Sequence, residues 1–334
     1  MKRVLILGVG SIGERHLRCF GQTGRCAMSF VEVNAGLRTE MAARYNVATS
    51  YASLDDALAL GTFDAAVVCT PAPLHVPQAR QLVAHGLDVL IEKPLSTTFD
   101  GIDALRAEIA QANRTVGVAY VYRVHPLLSA VRDVLHSGRF GVPLEVLVAS
   151  GQHFPFYRPA YRSIYYARHE SGGGAIQDAL THLVNATEWL VGPIDRLVVD
   201  ADHLALEGVD VEDTVHLLAR HGRTMANYGL NQHQAPNELT ITVVCERGTV
   251  RAEFHASRWR WQTDPAGGWN DEPLPPLERD SLFIAQANAF LDAVEGRRPV
   301  PCSLDDGLQT LRVNLAALAS WRTQTWQTIA RGAS

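Results

Sequence analysis

The sequence predicts an α/β fold in its first part, built on a doubly wound parallel sheet. It predicts an α+β fold in its second part, an open mixed or antiparallel sheet flanked by helices. Three observations lead there. Residues 1–120 alternate short apolar, β-prone runs with amphipathic helical stretches, the pattern of successive βαβ units. From residue 121 onward, strand-like runs follow one another across turn signals such as His221-Gly222 and Arg247-Gly248, largely without crossover helices. A chain of 334 residues also exceeds what one core usually serves, roughly 250–300 residues, so two domains are expected, 1–120 and 121–334.

Composition narrows the classes of function. A formal charge of -5 leaves no electrostatic footprint for nucleic acid or an anionic membrane, and neither is expected as a partner. The five cysteines are odd in number and scattered, which fits reduced thiols better than a disulfide framework or a metal site, and no metal is expected. The apolar run Val4 to Val9 stops at Gly10-Ser11 and soon meets Glu14, Arg15 and His16, unlike a secretory leader. Without a membrane span either, a cytoplasmic protein is expected.

The first strand, Val4 to Leu7, runs directly into Gly8-Val9-Gly10-Ser11-Ile12-Gly13, which opens an amphipathic helix through Leu17 and Phe20. Gly8 permits the tight turn, Gly10 allows close backbone approach to a pyrophosphate, and Gly13 allows helix and strand to pack closely. A second strand, Ala27 to Val33, holds Glu32 about 20 residues further on, where a carboxylate accepts from ribose hydroxyls and repels a 2′-phosphate. This is a Rossmann dinucleotide-binding pattern, and NAD is expected over NADP, although Arg38 could still neutralise a phosphate. Helices follow at Leu37 to Tyr45 and Leu54 to Leu60, then a buried strand, Phe63 to Cys69. Its end, Thr70-Pro71, and His75 at the next helix start crowd the cofactor edge of the sheet. His75 is read as lining that site with no chemical role.

The next strand ends abruptly as Val89-Leu90-Ile91-Glu92-Lys93-Pro94. Ligands bind at the carboxyl edge of open parallel sheets, so Lys93 stands where cofactor and substrate could both be met. A surface lysine at a strand end is the plainer alternative. A helix from Phe99 to Gln111 and a strand from Thr115 to Ala119 complete the first domain.

In the second part Pro126 opens a helix, and strands are expected at Leu144 to Ser150, Arg196 to Asp200, Thr214 to Ala219, Thr224 to Asn231, Leu239 to Cys245 and Thr249 to Phe254. Trp259-Arg260-Trp261 and the Pro273 to Pro276 region read as one long loop. Helices at Leu282 to Glu295 and from Leu304 to about Thr325 close the chain, the last expected to pack back on the sheet or the first domain. Gly172-Gly173-Gly174 opens a further helix, in which Asp178 and His182, four apart, share a face. A carboxylate there can orient an imidazole and make it a better proton acceptor, although such pairs are also common on helix surfaces. The stretch Phe154 to Glu170 mixes aromatic and arginine residues, among them Tyr157, Arg158 and Tyr165. Rings and guanidinium groups of this kind suit a sugar, or one bearing a carboxylate or phosphate, and equally an oligomer interface.

Five motifs in order resemble the glucose-fructose oxidoreductase and inositol dehydrogenase (Gfo/Idh/MocA) family: Gly8 to Gly13, Thr70 to His75, Glu92-Lys93-Pro94, Tyr122 to Pro126, and Gly172 to His182. Asn185 and Gln177 depart from the family pattern. The resemblance implies an NAD(P)-dependent dehydrogenase of sugars, inositols or related polyols, assembled as a homodimer or homotetramer through the sheet of its second domain. It implies cofactor contacts from Gly8, Gly10, Ser11, Ile12, Gly13, Glu32, Thr70, Pro71, His75, Glu92 and Lys93. By the same resemblance catalysis falls to Lys93, Asp178 and His182, while residue type places Tyr157, Arg158 and Tyr165 on the substrate side and Arg123 either at the active-site mouth or in a structural role at the domain junction. A glycosidase that uses NAD transiently, or a non-catalytic dinucleotide sensor, are the alternatives within this resemblance.

Overall fold

The computed structural model describes residues 1–330. The chain divides into two compact units, one of Met1–Val124 with Glu278–Gly307, the other of His125–Leu277 with the chain from Leu308 onward. In the first unit the elements are β1 (Lys2–Leu7), α1 (Ser11–Gln22), β2 (Cys26–Val31), α2 (Ala35–Tyr45), β3 (Ser50–Tyr51), α3 (Leu54–Leu60), β4 (Ala65–Val68), α4 (His75–Ala84), β5 (Asp88–Ile91), α5 (Ile102–Ala112) and β6 (Val116–Val118). The strands form one parallel sheet in the order β3-β2-β1-β4-β5-β6. Strand order reverses about β1, so the carboxyl ends of β1 and β4 flank the switch point where such sheets take ligands.

Sequence explains this placement. β4 and the apolar part of β1 are buried at every position, as expected of central parallel strands covered on both faces. Asp88 is the polar exception in β5. Its carboxylate accepts from the Thr115 backbone N–H at 2.7 Å, which ties the start of β5 to the start of β6. β3 was not foreseen, because two residues carry no period.

The second unit contains α6 (Pro126–His136), β7 (Pro143–Gly151), the short α7 (Phe154–Tyr157), α8 (Thr181–Val191), and strands β8 (Arg196–Asp202), β9 (Thr214–His221), β10 (Thr224–Asn231), β11 (Glu238–Cys245), β12 (Gly248–Glu253), β13 (Arg258–Gln262) and β14 (Asn270–Pro273). Then α9 (Ser281–Val294) packs on α1 within the first unit, while α10 (Leu304–Thr323) and β15 (Gln327–Thr328) follow. Nine strands run in the order β14-β13-β12-β11-β7-β10-β9-β8-β15, antiparallel except for β7 beside β10. Alternation along the strands sorts the two faces: Val215, Leu217, Tyr228, Ile241 and Val250 are buried on one, whereas Leu218 and Met225 are exposed on the other. α10 from Leu308 onward belongs to this unit, where Thr310 Oγ1 receives Asn185 Nδ2 at 2.9 Å and donates to Glu188.

Residues 258–262 and 270–273 are strands, not the expected long loop. Arginine and tryptophan alternate in β13 with every residue half-buried, so no apolar face announces it. Cross-strand chemistry holds the hairpin instead, with Arg260 Nη2 2.7 Å from Asp271 and the guanidinium groups of Arg251 and Arg260 over the Trp269 ring. Among the described residues, no helix is long and apolar enough to cross a membrane.

Candidate active site

The glycine-rich turn between β1 and α1 shows why each glycine stands where it does. Gly8 has φ of +78°, and a Cβ on Gly13 would sit 1.8 Å from the Gly8 carbonyl oxygen. A Cβ on Gly10 would meet no atom within 4 Å, so internal packing does not require glycine there, and close approach of a ligand remains the reason. Gly10 caps α1 without any side-chain hydrogen bond, which leaves the helix's first N–H groups, from Ser11 and Ile12 on, for an anion. Glu32 follows β2 with its carboxylate fixed by the Val9 N–H at 3.1 Å and the Asn34 N–H at 2.9 Å, while Arg38 Nη1 donates to the Glu32 carbonyl at 2.6 Å. An uncapped helix start, an open Gly10 and an anchored carboxylate fit a dinucleotide.

At the neighbouring strand ends, Thr70 Oγ1 donates to Gln78 Oε1 at 2.6 Å. His75 is buried, with Nδ1 2.9 Å from the Pro94 carbonyl and Nε2 2.7 Å from the Thr70 carbonyl, so it joins the chain after β4 to the chain after β5. Burial pushes its imidazole below the ordinary value, and the carbonyl contacts oppose that. Glu92 is buried and Lys93 half-buried, and the Lys93–Pro94 peptide bond is cis. Glu92 Oε2 accepts from its neighbour's N–H at 2.9 Å, and Oε1 lies 2.6 Å from His16 Nε2, a ring with no exposed surface. Burial raises the Glu92 carboxyl, but the His16 hydrogen bond and the His16 and Lys93 charges hold it below its usual value.

In the second unit the helix expected after the glycines is not continuous. Ile176 to Leu180 form a π-helical turn, and α8 begins at Thr181. A π turn holds more than four residues, so Asp178 and His182 still lie on one side of the element, with Asp178 buried and His182 half-buried. Tyr165 Oη donates to Asp178 Oδ1 at 2.5 Å. The glycines accommodate protein: a Cβ on Gly173 would lie 2.2 Å from the Tyr166 carbonyl, and one on Gly174, with φ of +83°, would lie 2.6 Å from the Glu212 carboxylate. Glu212 is fully buried, accepts from the Ile176 N–H at 2.8 Å, and meets His169 Nε2 at 2.5 Å. Gln177 Nε2 donates to the carbonyls of His169 and Gly173, which fixes the same turn.

The aromatic stretch divides in two. Phe154, Tyr161 and Tyr166 form a small core with Leu206, Val209 and Val211, so these rings are structural. Tyr157 and Arg158 are exposed at the end of α7, and the Arg158 guanidinium lies over the Phe154 ring. Arg123 is buried in the first unit, 3.5 Å from Asp306, whereas His125 caps α6 by accepting the Leu127 N–H at Nδ1. Among the described residues, no cluster of His, Cys, Asp and Glu could hold a metal ion. His16 and Glu212 were missed from sequence. His16 sits in an amphipathic helix where a polar residue passes unremarked, and Glu212 is one acid in the run Val209-Asp210-Val211-Glu212-Asp213.

Two family models match the chain: residues 2–120 match the oxidoreductase family, NAD-binding Rossmann fold, and residues 128–251 match the Gfo/Idh/MocA C-terminal domain. An inositol 2-dehydrogenase/D-chiro-inositol 3-dehydrogenase of Shouchella clausii is 29% identical over 57% of this chain, which spans about half that enzyme's length, 53%. A UDP-N-acetylglucosamine 3-dehydrogenase of Acidithiobacillus ferrooxidans is 25% identical over 95% of both chains. The WlbA dehydrogenase of Bordetella pertussis, solved with NADH and UDP-GlcNAcA, superposes with a TM-score of 0.84 at 25% identity over 99% of both chains. With the glycine turn and anchored Glu32 in the first unit and matches over both units, the chain belongs to the Gfo/Idh/MocA oxidoreductase family and opens with its NAD-binding Rossmann fold.

Proposed function

We propose that this protein is an NAD-dependent oxidoreductase that moves a hydride between the nicotinamide and a secondary alcohol carbon of a sugar, sugar derivative or cyclitol. The observation that carries this reading is the pairing of Asp178 and His182 on one side of the π–α junction, with Asp178 held by Tyr165. NAD, when bound, supplies the hydride acceptor. His182 takes the hydroxyl proton, since an imidazole titrates near neutral pH. Lys93 hydrogen-bonds the same oxygen and stabilises the negative charge developing on it. Asp178 positions the substrate or His182, and Tyr165 positions Asp178. In the reducing direction His182 returns the proton. Arg123, Tyr157 and Arg158 complete the substrate side, and Glu32 accepts from the ribose hydroxyls and disfavours a 2′-phosphate.

The relatives support a ring bearing several secondary alcohols: one is named for inositols, another for UDP-N-acetylglucosamine, and the WlbA structure holds UDP-GlcNAcA. The test is NADH absorbance on mixing the purified protein and NAD with inositols, sugars, sugar acids and UDP-sugars, each repeated with NADP. A substrate-dependent rise with NAD is expected. Silence in both directions across the panel with NAD bound, or faster turnover with NADP, would overturn the activity or the cofactor preference respectively. The same reading includes a homodimer or homotetramer through the second unit's sheet, supported by Leu218 at 53% and Met225 at 54% exposure on one face, and light scattering tests it.

A further inference from the structure

The chain contains 28 arginines but only two lysines, Lys2 and Lys93. Cation chemistry elsewhere is left to arginine, whose planar fork differs from the compact point charge of an ammonium. The segment carrying the second lysine is gripped from two sides by buried histidines to which the proposed mechanism gives no chemical step. From α1, His16 Nε2 meets Glu92 Oε1 at 2.6 Å, and Glu92 Oε2 receives the Lys93 N–H at 2.9 Å. Around it His16 packs against the Phe20 and Phe283 rings, apolar surroundings in which a carboxylate without a donor would be costly. From the start of α4, His75 contacts the carbonyls of Pro94 and Thr70. One histidine thus holds the residue before Lys93, and the other holds the residue after it.

We propose that His16 and His75 are positioning residues that clamp Glu92-Lys93-Pro94 and so fix where the Lys93 ammonium points. The device couples the helix that opens at the glycine turn to the lysine, through one buried hydrogen bond. It rests on the reading that Lys93 meets the cofactor and the substrate oxygen, because only then does its aim matter for turnover.

With two lysines in the chain, the test needs no known substrate. The full-length protein is acetylated with trace acetic anhydride, with and without NADH, and the Lys93-to-Lys2 labelling ratio is read by peptide mass spectrometry. NADH affinity is followed by fluorescence. In the wild type NADH should lower the ratio; if it does not, the placement of Lys93 at the cofactor fails, and the clamp is judged on the NADH-free labelling alone. His16→Met and His75→Leu should each shift the NADH-free ratio several-fold, with NADH still bound by His16→Met, and His16→Gln, which restores a donor, should return towards wild type. Should His16→Met not fold, Glu92→Gln carries the same labelling criterion at nearly unchanged volume. An unchanged ratio in both histidine variants, with only thermal stability reduced, would overturn the proposal. Once a substrate is found in the panel, His16→Met should slow turnover about 10- to 100-fold, as misplacement of a reacting group by about 1 Å does. It should add little to the defect of Lys93→Ala, since both changes act through one group.

Discussion

Tyr165 Oη lies 2.5 Å from Asp178 Oδ1 and joins a partly exposed aromatic loop to a buried carboxylate in the π turn. The loop is anchored independently by Tyr161 and Tyr166 in their own small core, so Tyr165 is presented by a fixed backbone. A hydrogen bond to a charged group contributes about 1.5–3 kcal/mol. Tyr165→Phe keeps the ring and removes the hydroxyl that makes that bond. We expect kcat/KM for the panel substrate to fall about 10- to 100-fold with NAD affinity unchanged. Equal turnover in steady-state assays would remove Tyr165 from the site.

The last two glycines of the turn, Gly10 and Gly13, make opposite predictions. A methyl at Gly13 would collide with the Gly8 carbonyl, which as backbone cannot swing aside, whereas one at Gly10 meets no atom of the chain within 4 Å. Gly13→Ala should therefore lower thermal stability, by about 1–3 kcal/mol or more, and weaken NAD binding as a consequence. Gly10→Ala should fold with the wild-type melting temperature and still lose NAD affinity. Calorimetry and NADH fluorescence titration on both variants separate the outcomes, and normal NAD binding by Gly10→Ala would show that no ligand approaches there.

Most of the fold was legible because it repeats simple periods. Fully apolar runs gave the parallel strands, and alternation such as that around Val215, Leu217 and Ala219 gave the second sheet, each to within a few residues. What escaped depends on contacts distant in sequence. Strand β13 is held by Arg260 and Asp271, and its Arg-Trp alternation has no apolar side to read. The π turn exists beside Glu212, which no local pattern connects to Gly174 or His169. At the site, the glycine turn, Glu32 and Lys93 were legible as motifs, whereas the ring of His16 under Glu92 became visible only once α1 and β5 were adjacent.

Glu32 offers a test of cofactor choice. Its carboxylate is fixed by two backbone N–H groups, and Arg38 is directed at its carbonyl oxygen at 2.6 Å. Glu32→Gln keeps one oxygen, enough for the Val9 or the Asn34 N–H but not both, and removes the charge that repels a 2′-phosphate. The ratio of kcat/KM for NAD over NADP should fall about tenfold, the order of one lost charged contact of ~1.4 kcal/mol. An unchanged ratio would mean that Glu32 does not face the ribose.

Acid should destabilise the second unit through two buried histidines. Burial pushes His125 down to about 4 from an ordinary 6.5, and its Nδ1 must stay unprotonated to accept the Leu127 N–H that caps α6. His221 is also lowered to about 4 by burial, against opposing contributions from the Gly192 carbonyl and Asp195. Between pH 4 and 6.5 the unfolded chain binds protons that the folded chain does not. Their contribution is therefore fully present above about pH 6.5 and is lost as pH falls towards 4. By pH 5 each histidine should have withdrawn about 2 kcal/mol. His125→Asn supplies a cap acceptor that does not titrate, so it should flatten the slope of unfolding free energy between pH 7 and 5. Urea melts at several pH values read this directly, and an identical slope in wild type and variant would mean that His125 is protonated in the folded state.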